Sequence, residues 1–93
     1  MAETTIAVVV VTYNRKKLLT ECLDAILAGT RLPDKIILID NGSTDNTPEF
    51  LKEEGYLKNL LVDYIRLPEN TGGAGGFHAG VKYGYEAGYD WLW

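Results

Sequence analysis

The chain has 93 residues, 46% of them hydrophobic, and 13 acidic against 9 basic side chains give it a net charge of −4. That length holds at most one domain, and the acidic balance offers no basic face to nucleic acid. A lone cysteine, Cys22, excludes a disulfide scaffold and a Cys-based zinc site and fits a reducing, cytoplasmic setting; no apolar run reaches the roughly 18–20 residues of a membrane span, and the first residues lack the basic stretch of a signal peptide.

Ile6–Thr12 is a continuous β-branched run, the pattern of a strand buried on both faces of a parallel sheet. Asn14 offers a cap for a helix whose apolar positions Leu18, Leu19, Cys22, Leu23, Ile26 and Leu27 follow helical spacing. This places Cys22 on the apolar face, as core rather than nucleophile. Gly29 suits the helix end, and Ala28–Pro33 reads as an ordinary connection. Ile36–Ile39, ending at Asp40, is a second buried strand, and Asn41–Asp45 is turn chemistry in which Gly42 supplies a positive φ. A short helix from about Thr47 to Glu54 carries Pro48 in its first turn and closes at Gly55. Val62–Leu67 is a third strand, less apolar and so nearer an edge. A Gly-rich loop, a helix from about Ala74 to Ala87 and a fourth strand opening at Tyr89–Trp93 complete the order β-α-β-α-β-α-β. That alternation specifies an open, mostly parallel α/β sheet. Ligands of such sheets bind beyond the carboxyl ends of the strands, which selects three segments.

After strand one, Thr12, Tyr13, Asn14 and Arg15 put a hydroxyl, a stacking ring, an amide and a cation side by side; alternatively Asn14 only caps the helix and Arg15 is solvated. After strand two, Asp40 is placed to accept from a ribose or a base N–H, and Asp45 either does the same or caps the next helix with Thr47. After strand three, Gly72, Gly76, Gly80, Gly84 and Gly88 recur every fourth residue. Each costs roughly 1 kcal/mol against alanine in a helix interior, so close packing, or a ligand over the helix start, must offset it. His78 has no partner at ligand spacing and reads as structural or supporting rather than catalytic. The acidic pair and third-strand aspartate of a response-regulator-like domain are missing.

Taken together, Val8–Arg15, Ile37–Thr47 and Asn70-Thr71-Gly72 with Gly76 and Gly80 resemble the N-terminal half of a family 2 glycosyltransferase of GT-A (Rossmann-like) fold. The run from Asn70 to Phe77 is similar to a subgroup containing galactofuranosyl- and rhamnosyltransferases. The resemblance implies a nucleotide-sugar donor, UDP- or dTDP-linked, and inverting transfer to the hydroxyl of a carbohydrate or lipid-linked acceptor. By the same resemblance Thr12 and Tyr13 contact the base, and Asp40 accepts from the base N–H or ribose. Asn41 and Asp45 support the second loop, with Asn14 and Arg15 beside them, and Asn70, Gly72 and Gly73 line the nucleotide pocket. Where His78 stands many members carry Arg or Asn, so diphosphate contact there is not implied. The family's Mg²⁺ or Mn²⁺, held by an Asp-x-Asp motif, and its general base are expected beyond Trp93. The expectation is thus a domain spanning 1–93 that stops short of the metal ligands, is inactive alone, self-associates through its open edge, and belongs to a parent protein at the inner face of the membrane. The alternative is a stand-alone, non-catalytic α/β nucleotide-binding or interaction module.

Overall fold

A computed structural model describes residues 5–29 and 32–92; the expectations placed on Thr30, Arg31 and Trp93 lie outside these residues. Four strands, β1 (Ile6–Thr12), β2 (Lys35–Asp40), β3 (Val62–Arg66) and β4 (Trp91–Leu92), form one parallel sheet in the order β3-β2-β1-β4. The register aligns Thr12 with Asp40 and Asp40 with Arg66, so three strands end level at one edge. β3 lies at a border of the sheet, as its lower hydrophobicity anticipates, and the chain reverses direction across the sheet between β1 and β4. The crevice at such a reversal is where open α/β sheets take ligands.

The helices are α1 (Lys16–Leu27), α2 (Thr47–Glu53), a 3-10 turn η1 (Tyr56–Lys58) and α3 (Gly72–Ala87). Leu19 and Leu23 of α1 and Leu51 of α2 pack with Ile36, Leu38 and Val62 on one face of the sheet. On the other face Ala7, Ile37 and Ile39 form a second cluster with Val9, Val11 and Leu92, against which α3 lies. Ile36–Ile39 are wholly buried because β2 is central and covered on both sides.

Two expectations for α1 are overturned. Asn14 does not cap it: Arg15 occupies the N-cap position without a side-chain cap bond, while Asn14 sits at φ 50° with its amide turned to the second loop. Cys22 is exposed rather than core, and Leu18 is 60% exposed. The apolar stripe is wider than the contact; Leu19 and Leu23 take the sheet, leaving Leu18 and Cys22 on the flank. The closing residue is Ala28 rather than Gly29. η1, unforeseen in the sequence, exists because Tyr56 and Leu57 pack on the first core cluster and Tyr56 donates to Asp24 Oδ1 at 2.5 Å. β4 starts at Trp91, two residues later than anticipated, because Tyr89 N–H is spent on the Gly84 carbonyl in closing α3.

α3 starts at Gly72, two residues before the expected Ala74. Its glycine row divides into two functions. Gly76, Gly80 and Gly84 are buried against the sheet: a Cβ on Gly76 would stand 2.7 Å from Val11 Cγ1, and one on Gly80 or Gly84 would strike Val9 or Leu92. Gly72 and Gly88 face open space at φ 82° and 88° and turn the chain into and out of the helix. The packing reading therefore holds for the middle three positions.

Gly80→Ala is expected to lower stability in a denaturant melt. Overpacking costs about 1–3 kcal/mol, against roughly 1 kcal/mol gained in helix propensity. Gly73→Ala, with nothing near its Cβ, is expected to be neutral or slightly stabilising.

Candidate functional site

The three segments chosen from the sequence meet at the carboxyl edge of the sheet, and the second binds the other two. Asp40 ends β2 with no exposed surface. Its Oδ1 accepts the Ser43 N–H at 2.9 Å and its Oδ2 accepts the Tyr64 hydroxyl at 2.5 Å. Arg66 Nε stands 4.0 Å from Oδ2, and Arg66 Nη2 donates to the Ser43 carbonyl at 2.8 Å. Both carboxylate oxygens are thus engaged from within the protein. Burial, then the hydrogen bond and the negative charge of Asp40, drives the Tyr64 phenol far above its ordinary pKa, with the Arg66 charge opposing.

Asn14 ties the first loop to the second. Its Oδ1 accepts the N–H groups of Thr44 at 2.8 Å and Asp45 at 3.2 Å, its Nδ2 donates to Thr44 Oγ1 at 3.1 Å, and its own N–H donates to Ser43 Oγ at 3.0 Å. Asparagine tolerates the left-handed backbone this geometry requires. Asn41 ties the second loop to the third. Its Oδ1 accepts from Thr71 N and Thr71 Oγ1, each at 3.0 Å, while its Nδ2 donates to Asn70 Oδ1 at 3.2 Å and to the Gly72 carbonyl at 2.8 Å. Asn70 Oδ1 also accepts the Gly72 N–H at 2.8 Å. Gly42, at φ 76°, lies under the third loop: a Cβ there would be 2.5 Å from the Glu69 carbonyl carbon.

Of the residues selected from the sequence, Thr12, Asp40 and Asn41 are buried; Tyr13, Asn14, Arg15, Asp45, Asn70, Gly72 and Gly73 are exposed. Asp45 is not the N-cap of α2, a position Asn46 holds without a side-chain bond, but one residue earlier its Oδ1 accepts from the N–H and hydroxyl of Thr47, where the helix begins. The Thr12 hydroxyl is a buried polar atom without a partner among the described residues, and Thr12 lines a cavity of about 190 Å³ with Tyr13, Arg15, Leu18 and Cys22 among its other walls. Arg15, with Lys16 and Lys17, borders a second hollow that reaches Asp45. Lys16 itself is held by Asn46 and lies over the Phe50 ring, 5.6 Å from its centroid. His78 is exposed on α3.

Sequence reasoning gave no role to Ser43 and Thr71, although both lie in the selected segments, and it missed Tyr64 and Arg66 altogether. The signal for the last two was present: Val62, Tyr64 and Arg66 alternate on one face of β3, and polar groups at the carboxyl end of an otherwise apolar strand face have to find partners there.

An open parallel sheet covered by helices on both faces, with its loops gathered at the strand ends beside the reversal, defines a Rossmann-like domain of the GT-A kind. Residues 7–93 match the model described as Glycosyl transferase family 2, and the chain belongs to that family. It is 38% identical over 88 residues to the galactofuranosyltransferase GlfT1 of Mycolicibacterium smegmatis, covering 95% of this chain and 28% of that protein. It is 41% identical over 73 residues to the glycosyltransferase GlyG of Streptococcus pneumoniae, covering 74% of this chain and 22% of that one. The chain therefore spans less than a third of the length of these relatives. The solved structure of the mannosyltransferase PcManGT from Pyrobaculum calidifontis, in complex with GDP-Man and Mn²⁺, superposes with a TM-score of 0.73 at 24% identity over 89% of this chain and 25% of that chain, a likeness of fold.

Two predictions follow from the bonding around the site. Asn41→Ala removes the side chain that holds Asn70, Thr71 and Gly72 at a part-buried junction; the expected loss is about 1–2 kcal/mol in urea unfolding. Alkaline titration supplies the second. The hydrogen bond to Asp24, then desolvation, pushes the Tyr56 pKa up to about 12, and the bond to Asp63 raises that of Tyr83. A phenol whose pKa is raised by folding stabilises the fold fully below its unfolded value of 10.0, and that contribution is lost as pH climbs to about 12. Tyrosinate absorbance is expected to show Tyr56, Tyr64 and Tyr83 ionising late, and Tyr56→Phe to reduce the alkaline loss of stability.

Proposed function

We propose that the carboxyl edge of this sheet holds the nucleotide of a sugar-nucleotide donor. The parent protein would then transfer the sugar, with inversion, to an acceptor hydroxyl on a carbohydrate or lipid-linked chain. The observation that carries this reading is the cross-tying of three strand-end loops, which engages most of their interior polar groups, the Thr12 hydroxyl excepted, and leaves Tyr13, Arg15, Asn70, Gly72 and Gly73 exposed. An exposed ring suits the face of a base. A cation beside it suits phosphate. The Gly72 N–H is held by Asn70, but past it a glycine in the first turn of a helix without a side-chain cap lets an anionic chain approach the N–H groups that follow.

Asp40 supports this site from below, since both of its oxygens are already engaged and it has no exposed surface. Donor contact by Asp40 would require the second loop to open. The Thr12 hydroxyl is buried without a partner among the described residues, so a ligand group would reach it only if the walls of the cavity behind Tyr13 shifted.

A UDP- or dTDP-linked donor is the form this reading takes, while the structural neighbour from Pyrobaculum calidifontis holds GDP-Man with Mn²⁺. Among the described residues no three His, Cys, Asp or Glu side chains converge as a cation site. Asp40 and Asp45 are committed to protein donors. These residues therefore do not fit a divalent metal, and the loops of this chain act on the nucleotide through stacking, charge and backbone hydrogen bonds.

Amide NMR titration with UDP, dTDP and GDP tests the reading. The expected result is weak binding, with Kd on the order of 1 mM, and shifts centred on Tyr13, Arg15 and Thr71–Gly73. Shifts confined to the opposite edge of the sheet, around Ile6, Leu32 and Pro33, would overturn it.

A further inference from the structure

We infer that Tyr64 is a positioning residue for the nucleotide-facing loop, acting through Asp40 and Ser43 on the backbone of Asn14 beside Tyr13. The inference rests on the donor-site reading of this edge. Tyr64 lies on the border strand, within the sheet, and faces the α1 and α2 side.

Its reach comes from an unbroken run of hydrogen bonds. The Tyr64 hydroxyl donates to Asp40 Oδ2, Asp40 Oδ1 accepts from Ser43 N, and Ser43 Oγ accepts from Asn14 N, at 2.5, 2.9 and 3.0 Å. Asn14 precedes Arg15 and follows Tyr13, so the last link fixes the segment that carries both exposed groups.

The carboxylate makes this run stiff. With no exposed surface, Asp40 has no water to replace a lost donor, and Arg66 Nε at 4.0 Å from Oδ2 is beyond hydrogen-bond distance. Removing the Tyr64 hydroxyl leaves two relaxations. The carboxylate can rotate toward Arg66, which draws Oδ1 away from Ser43 N. Otherwise the second loop lifts to admit water, which draws Ser43 Oγ away from Asn14. Either movement frees the Asn14 backbone. Burial holds the phenol in its neutral, donating form well beyond physiological pH.

Two further tyrosine–aspartate pairs serve as internal controls. Tyr56 donates to Asp24 at 2.5 Å, and Tyr83 donates to Asp63 at 2.9 Å. Both aspartates lie at partly or fully exposed positions and lead to no loop at the carboxyl edge.

The test compares Tyr64→Phe with Tyr83→Phe by amide hydrogen exchange and UDP titration. In Tyr64→Phe the Ser43 and Asn14 amides should exchange about ten-fold faster, as the loss of a hydrogen bond to a charged group implies. Thr71 and Gly72, held by Asn41 and Asn70, should keep their rates, and the UDP Kd should rise several-fold. Tyr83→Phe should change neither. Uniform acceleration across the chain, no acceleration at Asn14, or unchanged UDP affinity despite a freed Asn14 would each overturn the inference. Absence of UDP binding by the unaltered chain overturns the donor-site reading itself, a result distinct from the exchange pattern. Should Tyr64→Phe fail to fold, Ser43→Ala decides: it deletes the acceptor for Asn14 N–H alone and should reproduce the faster Asn14 exchange and the weaker UDP binding.

Discussion

A carboxylate with no exposed surface at the end of a central strand must find all its hydrogen bonds inside the protein, because desolvating an unsatisfied charge is among the most costly things a fold can do. Asp40 meets that demand with a backbone N–H from the turn that follows it and a phenol from the neighbouring strand. The first partner bends the chain back over the strand end at Ser43. The second joins β2 to β3 beneath that bend. Everything the second loop does afterwards depends on this placement: Ser43 and the Thr44–Asp45 backbone can meet Asn14 only because the turn is folded down onto Asp40.

The opposite face of the sheet imposes a different constraint. α3 approaches so closely that Val9, Val11 and Leu92 occupy the space where side chains would stand on Gly80, Gly76 and Gly84. The close approach brings the helix start to Asn41, whose amide lies 3.2 Å from the position of a Cβ on Gly76. Asn41 can therefore reach Thr71 and the Gly72 carbonyl from the sheet. Packing of an apolar face and anchoring of a polar loop are one event here, and the helix-propensity cost of three buried glycines is offset by both.

The layout of the fold was legible in the sequence, because it follows from periodicity. The apolar runs at Ile6–Val11 and Ile36–Ile39 read as parallel strands, although only the second is buried along its length while the first is half-buried apart from Ala7, and the lower apolar content of Val62–Arg66 marked it as a border. The strand ends were legible too, since the location of binding loops follows from topology. What periodicity could not convey is which of two partners a polar side chain takes. Asn14 stands where a helix cap belongs, and local chemistry favours that role; a contact across thirty residues of sequence won instead, because the cap leaves two loop N–H groups unpaired. Cys22 was misplaced for a related reason: helical spacing gives the width of an apolar stripe but not how much of it the sheet covers. Tyr64 and Arg66 were overlooked because a strand was read for its apolar residues alone.

The buried and exposed polar residues at this edge therefore do different work. Asp40, Asn41 and Ser43 spend their hydrogen bonds on one another and on loop backbone, so the loops are already ordered before any ligand arrives. Ordering loops during binding consumes affinity that a preformed frame retains. The same frame limits what the edge can offer, because most of its polar atoms are no longer available. Tyr13, Arg15 and the backbone of the first turn of α3 beyond Gly72 are a ring, a charge and helix-start N–H groups, which suit a flat base joined to an anionic chain better than a densely hydroxylated sugar. On the proposed reading, a nucleotide grip built this way would be specific in geometry and modest in strength, holding the donor in one place without binding it too tightly to be released.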